Sequence, residues 1–276
     1  VAEKVQARYD KYKSLLTYIE SRYGSLKSFA SAHEFFGFHY DKIRHGWWYR
    51  EWAPAAHYLS LFGDFNNWDR YANPLEREDD GVWSVFLPDA QYKNKLTQGS
   101  LLKVLVQSSI GEQERIPVYI NRVLQNEDNK DFAGQFWNGS QRLEQHSHKV
   151  AKSKSVSESK SLFIYESHIG MAQEKEGVGT YKEFKDNILP RIKDAGYNAI
   201  QLMAIAEHPY YGSFGYHVSN FFAASSRFGT PEELKDLIDT CLICSLYHGN
   251  SKFLARKLLL IFYSFYFLQL AQMLFH

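Results

Sequence analysis

The chain has 276 residues, 45% of them hydrophobic and 16% aromatic, which is enough to build the cores of two ordinary domains. Lysine plus arginine (32) nearly balances aspartate plus glutamate (31), so the formal charge of +1 excludes a broad electrostatic footprint for nucleic acid or an anionic membrane and favours a neutral ligand. Two cysteines, Cys241 and Cys244, exclude a disulfide framework and favour a reducing compartment, and no signal peptide is visible.

Residues 1–34 form the first segment. Val5, Tyr9, Tyr12, Leu16, Ile19 and Tyr23 recur three and four residues apart among Lys, Arg and Glu, which predicts an amphipathic helix that Gly24 can end. Residues 35–138 read differently. Short apolar and aromatic runs at 47–52, 58–62, 82–87 and 101–106 alternate with Gly, Pro, Asn and Asp, the pattern of a compact β-sandwich. Residues 139–161, rich in Ser, Lys, His and Gln, read as a solvated linker.

Residues 162–240 change pattern again. Leu162-Phe163-Ile164-Tyr165-Glu166 is a buried-type strand, 181–195 is helical, and 199–205 is a second strand, so parallel pairing in an α/β domain follows. Thr230-Pro231-Glu232-Glu233 opens a further helix through Asp239, with Thr230 as N-cap and Glu233 closing a capping box. The tail, 241–276, is apolar from 258 to 275 and just long enough to span a membrane. Gln269 and Gln272 argue against that use.

Three blocks then carry a family resemblance. Arg50-Glu51-Trp52-Ala53-Pro54, Phe62-Gly63-Asp64-Phe65-Asn66-Asn67-Trp68 and Gly81-Val82-Trp83 resemble the N-terminal carbohydrate-binding module, family 48-like, of glucan branching enzymes. Tyr165-Glu166-Ser167-His168-Ile169-Gly170 and Gln201-Leu202-Met203-Ala204-Ile205 resemble the opening of that family's (β/α)8 TIM barrel, of glycoside hydrolase family 13. Glu207-His208, Tyr210-Tyr211 and Ser213-Phe214-Gly215-Tyr216-His217, continuing to Gly229-Thr230, are the strongest block. The similarity covers about residues 1–240 and then stops.

The resemblance implies transfer of α-1,4 glucan chains to a 6-hydroxyl with retention, in the biosynthesis of glycogen or starch. Such chemistry needs a carboxylate nucleophile and a carboxylic acid roughly 5 Å apart. The family carries both on later barrel strands, so no catalytic residue is expected in this chain. A barrel takes about 250 residues, and those from Leu162 onward are fewer than half of that, so it must be incomplete here. The expectation is therefore a branching-enzyme fragment without activity of its own, the alternative being a non-catalytic glucan-binding protein.

Substrate contacts are expected from Tyr216, which matches the family tyrosine under the glucosyl unit beside the scissile bond, and from Phe214, Tyr211 and Glu207 nearby. Trp52 and Trp68 can stack on glucan or serve as core residues. Asp64 and Asn66 read as turn formers, Glu166 and His168 as structural or rim groups, and Glu207 with His208 as either cleft residues or a buried hydrogen-bonded pair. Cys241 and Cys244 read as incidental thiols, and no metal or organic cofactor is implied. The expected partner is α-glucan, with no nucleic acid and no membrane, in cytoplasm or plastid.

Overall fold

The computed structural model describes residues 2–138 and 163–243. The predicted linker and the tail beyond residue 243, including Cys244 and the apolar run 258–275, lie outside them. Among the described residues no helix is long and apolar enough to cross a membrane.

Helix α1 (Ala2–Tyr23) forms where the apolar spacing predicts it, with Glu3 in its first turn and Arg22 in its last, both favourable to the helix dipole. Gly24, at φ +79°, ends it in the left-handed conformation that glycine adopts without cost. Its stripe is nevertheless mostly unpacked: Ile19 is buried, whereas Val5, Tyr9 and Tyr12 are exposed. The ion pair of Arg22 with Asp80 ties the end of α1 to the next unit. A short helix α2 (Leu26–Phe29) follows, its Ser25 N-cap accepting from the Ser28 N–H at 3.1 Å.

The next unit is a sandwich of β1 (Gly37–Asp41), β2 (Gly46–Trp52), β3 (Ala56–Gly63), β4 (Glu76–Arg77), β5 (Val82–Pro88), β6 (Leu101–Ser108), β7 (Gly111–Arg115), β8 (Val123–Gln125) and β9 (Phe132–Gln135), with a helical turn α3 (Asp89–Tyr92) after β5. One antiparallel sheet has the order β1-β2-β5-β4 and the other β3-β6-β9-β8, with β7 also pairing β6. Alternation decides what turns inward. Tyr49, Leu59, Leu61, Trp83, Leu87, Leu102 and Val104 are buried in one cluster between the sheets. Glu51 is buried too, its carboxylate accepting from the Tyr49 hydroxyl at 2.8 Å and the Val118 N–H at 3.0 Å.

The third unit opens with β10 (Ile164–Ser167), which pairs in parallel with β11 (Ala199–Leu202), Ile164 opposite Ala199. Between them runs α4, from Tyr181–Glu183 through a π-helical turn, Phe184–Ile188, into Leu189–Asp194. The spacing predicts one uninterrupted helix; the widened turn arises because Pro190 has no N–H to give and its ring crowds the preceding turn's carbonyl. Next come an antiparallel pair, β12 (Ala206–Glu207) and β13 (Asn220–Ala224), and helix α5 (Pro231–Ile243). The predicted capping box is present, Thr230 Oγ1 accepting from the Glu233 N–H at 3.2 Å and Glu233 Oε2 from the Thr230 N–H at 2.8 Å.

One expectation is corrected here. The strand at 162–166 is not buried: Phe163 is 62% and Ile164 49% exposed. Among the described residues β10 has a single hydrogen-bonded neighbour, so only its Tyr165 and Ser167 side faces a core, formed by Tyr181, Phe184, Leu189, Ile192, Ile200, Leu202 and Phe228.

The sandwich and the third unit meet through specific contacts. Tyr119 stacks on Phe222 with ring centroids 4.2 Å apart, and Ala223 is buried within the sandwich core. Arg122 donates from Nη1 to the Gly229 carbonyl at 2.9 Å while its guanidinium lies 4.9 Å from the Trp137 ring centroid. Trp137 Nε1 in turn donates to Glu232 Oε1 at 2.7 Å. Trp137→Phe keeps a ring under Arg122 and removes only the charged hydrogen bond. We expect a loss of about 1.5 kcal/mol in a urea-unfolding measurement, against a larger loss for Trp137→Ala.

Candidate functional site

The loop 204–217 carries four of the six expected contact residues, and its shape follows from backbone conformation. Ala204, Phe214 and Gly215 all have positive φ, at +46°, +53° and +84°. A Cβ on Gly215 would sit 2.2 Å from the Ala204 carbonyl oxygen, so glycine is required where the loop folds back on itself. The Phe214 N–H donates to the Tyr211 carbonyl at 2.8 Å and the Tyr216 N–H to the Ser213 carbonyl at 3.0 Å. Tyr216 is thereby presented to solvent at 62% exposure, beside an exposed Phe214, whereas Tyr211 is half-buried.

Two histidines are buried at this loop, His168 from outside it and His208 within it. His168, just past the end of β10, has its Nε2 3.0 Å from the Phe214 carbonyl oxygen; since a carbonyl only accepts, Nε2 carries the proton. The same ring packs edge-on against Phe228, with centroids 5.5 Å apart. His208 donates from Nδ1 to the Ala206 carbonyl at 3.0 Å. The remaining nitrogen of each ring is buried without a hydrogen-bond partner among the described residues.

Glu207 is 1% exposed and its carboxylate is committed to backbone donors. Oε1 accepts from the His208 N–H at 3.2 Å and Oε2 from the Ser226 N–H at 2.7 Å. Burial raises its pKa, and the hydrogen bonds from Ser226 and His208 oppose that rise. Of the two sequence readings for Glu207 and His208, the geometry is that of a buried hydrogen-bonded group that braces the 225–229 turn, not of a side chain facing solvent. Glu166, by contrast, is exposed and accepts from Gln201 Nε2 at 2.9 Å. His168 and Glu166 make no bond to each other.

The two tryptophans lie on the sandwich, away from its core. Trp52 is 51% exposed, its Nε1 donating to the Asp80 carbonyl at 3.0 Å. Trp68 is 40% exposed, edge-on to Phe62, its Nε1 donating to Asp64 Oδ1 at 2.9 Å. In both, the polar edge is satisfied and ring surface stays open, the arrangement a sugar platform needs. Asp64 and Asn66 form the predicted turn: Asp64 Oδ2 accepts from the Leu101 N–H at 2.7 Å and Asn66 Oδ1 from the Gly63 N–H at 3.0 Å. A cavity of about 500 Å³ opens beside this turn, lined by Asn67, Asn73, Tyr92 and Lys95 among others.

Sequence reasoning left two features out. Tyr210, beside the expected contacts, is more exposed than any of them, and the aromatic pair before Gly212 is the signal that marks it. The Arg122–Trp137 clamp had no signal, because its partners stand 107 and 95 positions further along the chain.

Comparison with known proteins agrees with this architecture. Residues 35–120 match the family described as carbohydrate-binding module 48 (isoamylase N-terminal domain). A 1,4-alpha-glucan-branching enzyme of Dictyostelium discoideum is 45% identical over 239 residues, covering 86% of this chain and 34% of that enzyme. The chloroplastic/amyloplastic 1,4-alpha-glucan-branching enzyme 2-2 of Arabidopsis thaliana is 44% identical over 233 residues, covering 84% of this chain and 28% of that one. The chain thus spans about a third of the length of the curated relatives it matches. Among solved structures, the pullulanase SAP of Group B Streptococcus overlays with a TM-score of 0.57 at 17% identity, covering 76% of this chain and 32% of that one. A pullulanase from Bacillus acidopullulyticus also gives 0.57 at 17% identity, over 76% and 28%. These two likenesses show the fold alone.

Proposed function

The chain belongs to the 1,4-alpha-glucan-branching enzyme family, and from that premise we infer that its 276 residues hold α-glucan without themselves branching it. The observation that carries this reading is the loop of Tyr210, Phe214 and Tyr216, whose three rings are exposed while the buried His168 holds the Phe214 carbonyl. Rings held in place before the ligand arrives lose little freedom on stacking with a sugar face. In this reading Tyr216 lies under the glucosyl unit, Phe214 and Tyr211 shape the adjoining wall, and Glu207 acts from below by fixing the 225–229 turn. Trp52 and Trp68 engage glucan on the sandwich.

Branching with retention demands two carboxyl groups facing one open cleft. Neither of the two glutamates in the matched barrel blocks meets that demand: Glu207 is spent on backbone N–H groups and Glu166 on Gln201. The third unit is read as the first βα units of a barrel of the glycoside hydrolase family 13 kind, with the domain limits 35–138 and 162–240. Glycogen and starch, cytosol and plastid, are all compatible with the relatives' printed names.

The test is calorimetric titration of the full chain with maltoheptaose, together with a branching assay on amylose. Saturable binding is expected, weakened about tenfold by Tyr216→Ala, with no branching. Branching by the purified chain would overturn the non-catalytic part, and an unchanged affinity in Tyr216→Ala would remove the loop from the site.

A further inference from the structure

The outer face of the first sheet carries a stack that this reading does not use. In β2, Tyr49 and Glu51 turn into the core, which places Trp48, Arg50 and Trp52 together on the opposite face. The Arg50 guanidinium lies 4.7 Å from the Phe35 ring centroid and 4.7 Å from that of Trp48. Arg44 lies 5.3 Å from the Trp48 centroid and 5.7 Å from that of Phe86. Two guanidinia are thus held against three rings, with Trp48 shared between them.

The acids facing this stack are already engaged. Asp41 accepts from the Ile43 N–H at 2.9 Å, the Arg44 N–H at 3.0 Å and Trp48 Nε1 at 3.2 Å, and Glu78 accepts from the Ser84 hydroxyl. Both acids attract Arg50 from a distance, yet neither arginine side chain forms an ion pair or hydrogen bond among the described residues. A guanidinium stacked on a ring keeps its N–H edge free, and that fork matches the oxygens of a phosphate. Stacking also fixes the side chain beforehand, so less rotamer freedom is lost on binding.

We propose that the outer face of β2 is an anion site for a phosphate monoester, gripped by Arg44 and Arg50, and that the ester is carried on a sugar stacked on Trp52. The phosphate is dianionic and offers three oxygens to two guanidinia. Trp52 follows Arg50 by two residues on the same face, about 6.6 Å along the strand, the reach from a sugar ring to its own phosphate. The substrate class is a phosphorylated α-glucan; this second half rests on the glucan-binding reading, whereas the anion site stands without it.

The experiment is titration of the full chain, followed by tryptophan fluorescence and calorimetry, with inorganic phosphate, glucose 6-phosphate and maltoheptaose. Glucose 6-phosphate is expected to bind saturably, more tightly than inorganic phosphate, and to weaken as NaCl is raised. Arg44→Gln and Arg50→Gln are each expected to lower its affinity about tenfold or more. Arg44 is exposed, so its variant keeps the wild-type circular dichroism and the test remains readable where Arg50→Gln unfolds. Trp52→Ala should weaken glucose 6-phosphate and leave inorganic phosphate unchanged. No saturable glucose 6-phosphate binding, or affinities untouched by both arginine variants, overturns the site; equal affinity for the two phosphates overturns its sugar half. Absence of maltoheptaose binding in the wild type sinks the glucan reading separately.

Discussion

Glu207→Ala is expected to cost about 3 kcal/mol or more and to release the turn ahead of α5. Two backbone N–H groups, of Ser226 and His208, lose a charged acceptor, and each such bond is worth about 1.5–3 kcal/mol where water cannot replace it. Arg122, which feels the Glu207 charge and holds Gly229 at the other end of the same turn, loses a counter-charge as well. Chemical denaturation of the variant measures the cost. A loss below about 1 kcal/mol would mean that water reaches these N–H groups.

The pH dependence gives the same residue a second readout. The folded-state pKa of Glu207 is raised by burial, as is that of Glu51. A raised carboxyl pKa supplies stability that is complete below the ordinary carboxylate value of 4.5 and is lost as pH climbs through the folded value. Wild-type stability should therefore carry a downward contribution with rising pH from both acids, and Glu207→Ala should remove its share of that slope. An identical slope in the variant would place the titration elsewhere.

The second large effect is expected at Gly63, at the end of β3. A Cβ there would stand 2.1 Å from the Leu101 carbonyl oxygen and 2.7 Å from the Leu102 Cα. Both are backbone atoms of the paired strand β6, so no side-chain rotation relieves the clash, and the β3–β6 ladder must part. Overpacking of this kind costs about 3 kcal/mol, occasionally more. Gly63→Ala should therefore lower the melting temperature or leave no folded chain. The Asp64 turn and the Trp68 ring would be displaced first, since the turn begins at this residue and the Trp68 N–H donates to its carbonyl at 2.8 Å. Wild-type stability in Gly63→Ala would show that the strands can separate locally at no cost.

What the sequence made legible was local. Thr230-Pro231-Glu232-Glu233 specifies a helix start within four residues, and the capping box is there. Phe62 to Trp68 specifies a turn through Asn66 and Asp64, whose bonds reach only a few positions except the one to Leu101. The end of α5 is less legible: the helix continues to Ile243, past Asp239, because nothing in Thr240 and Cys241 stops it. Burial was not legible in β2, where Trp47-Trp48-Tyr49 runs on without alternation and Glu51 turns inward while Trp52 turns out, nor for 162–166, where an apolar run looks the same whether or not a neighbouring strand covers it. The commitment of Glu207 and the arginine clamp rest on partners brought close by the fold, and no local pattern encodes them.

Ala223 belongs to the sandwich core although it stands far beyond the last sandwich strand in the chain. A module excised at residue 138, for use in a chimera, would leave that packing site unfilled and the Tyr119 ring without its Phe222 neighbour. The transferable piece is therefore longer than the family match at 35–120 and discontinuous, and a graft needs β13 carried along with it.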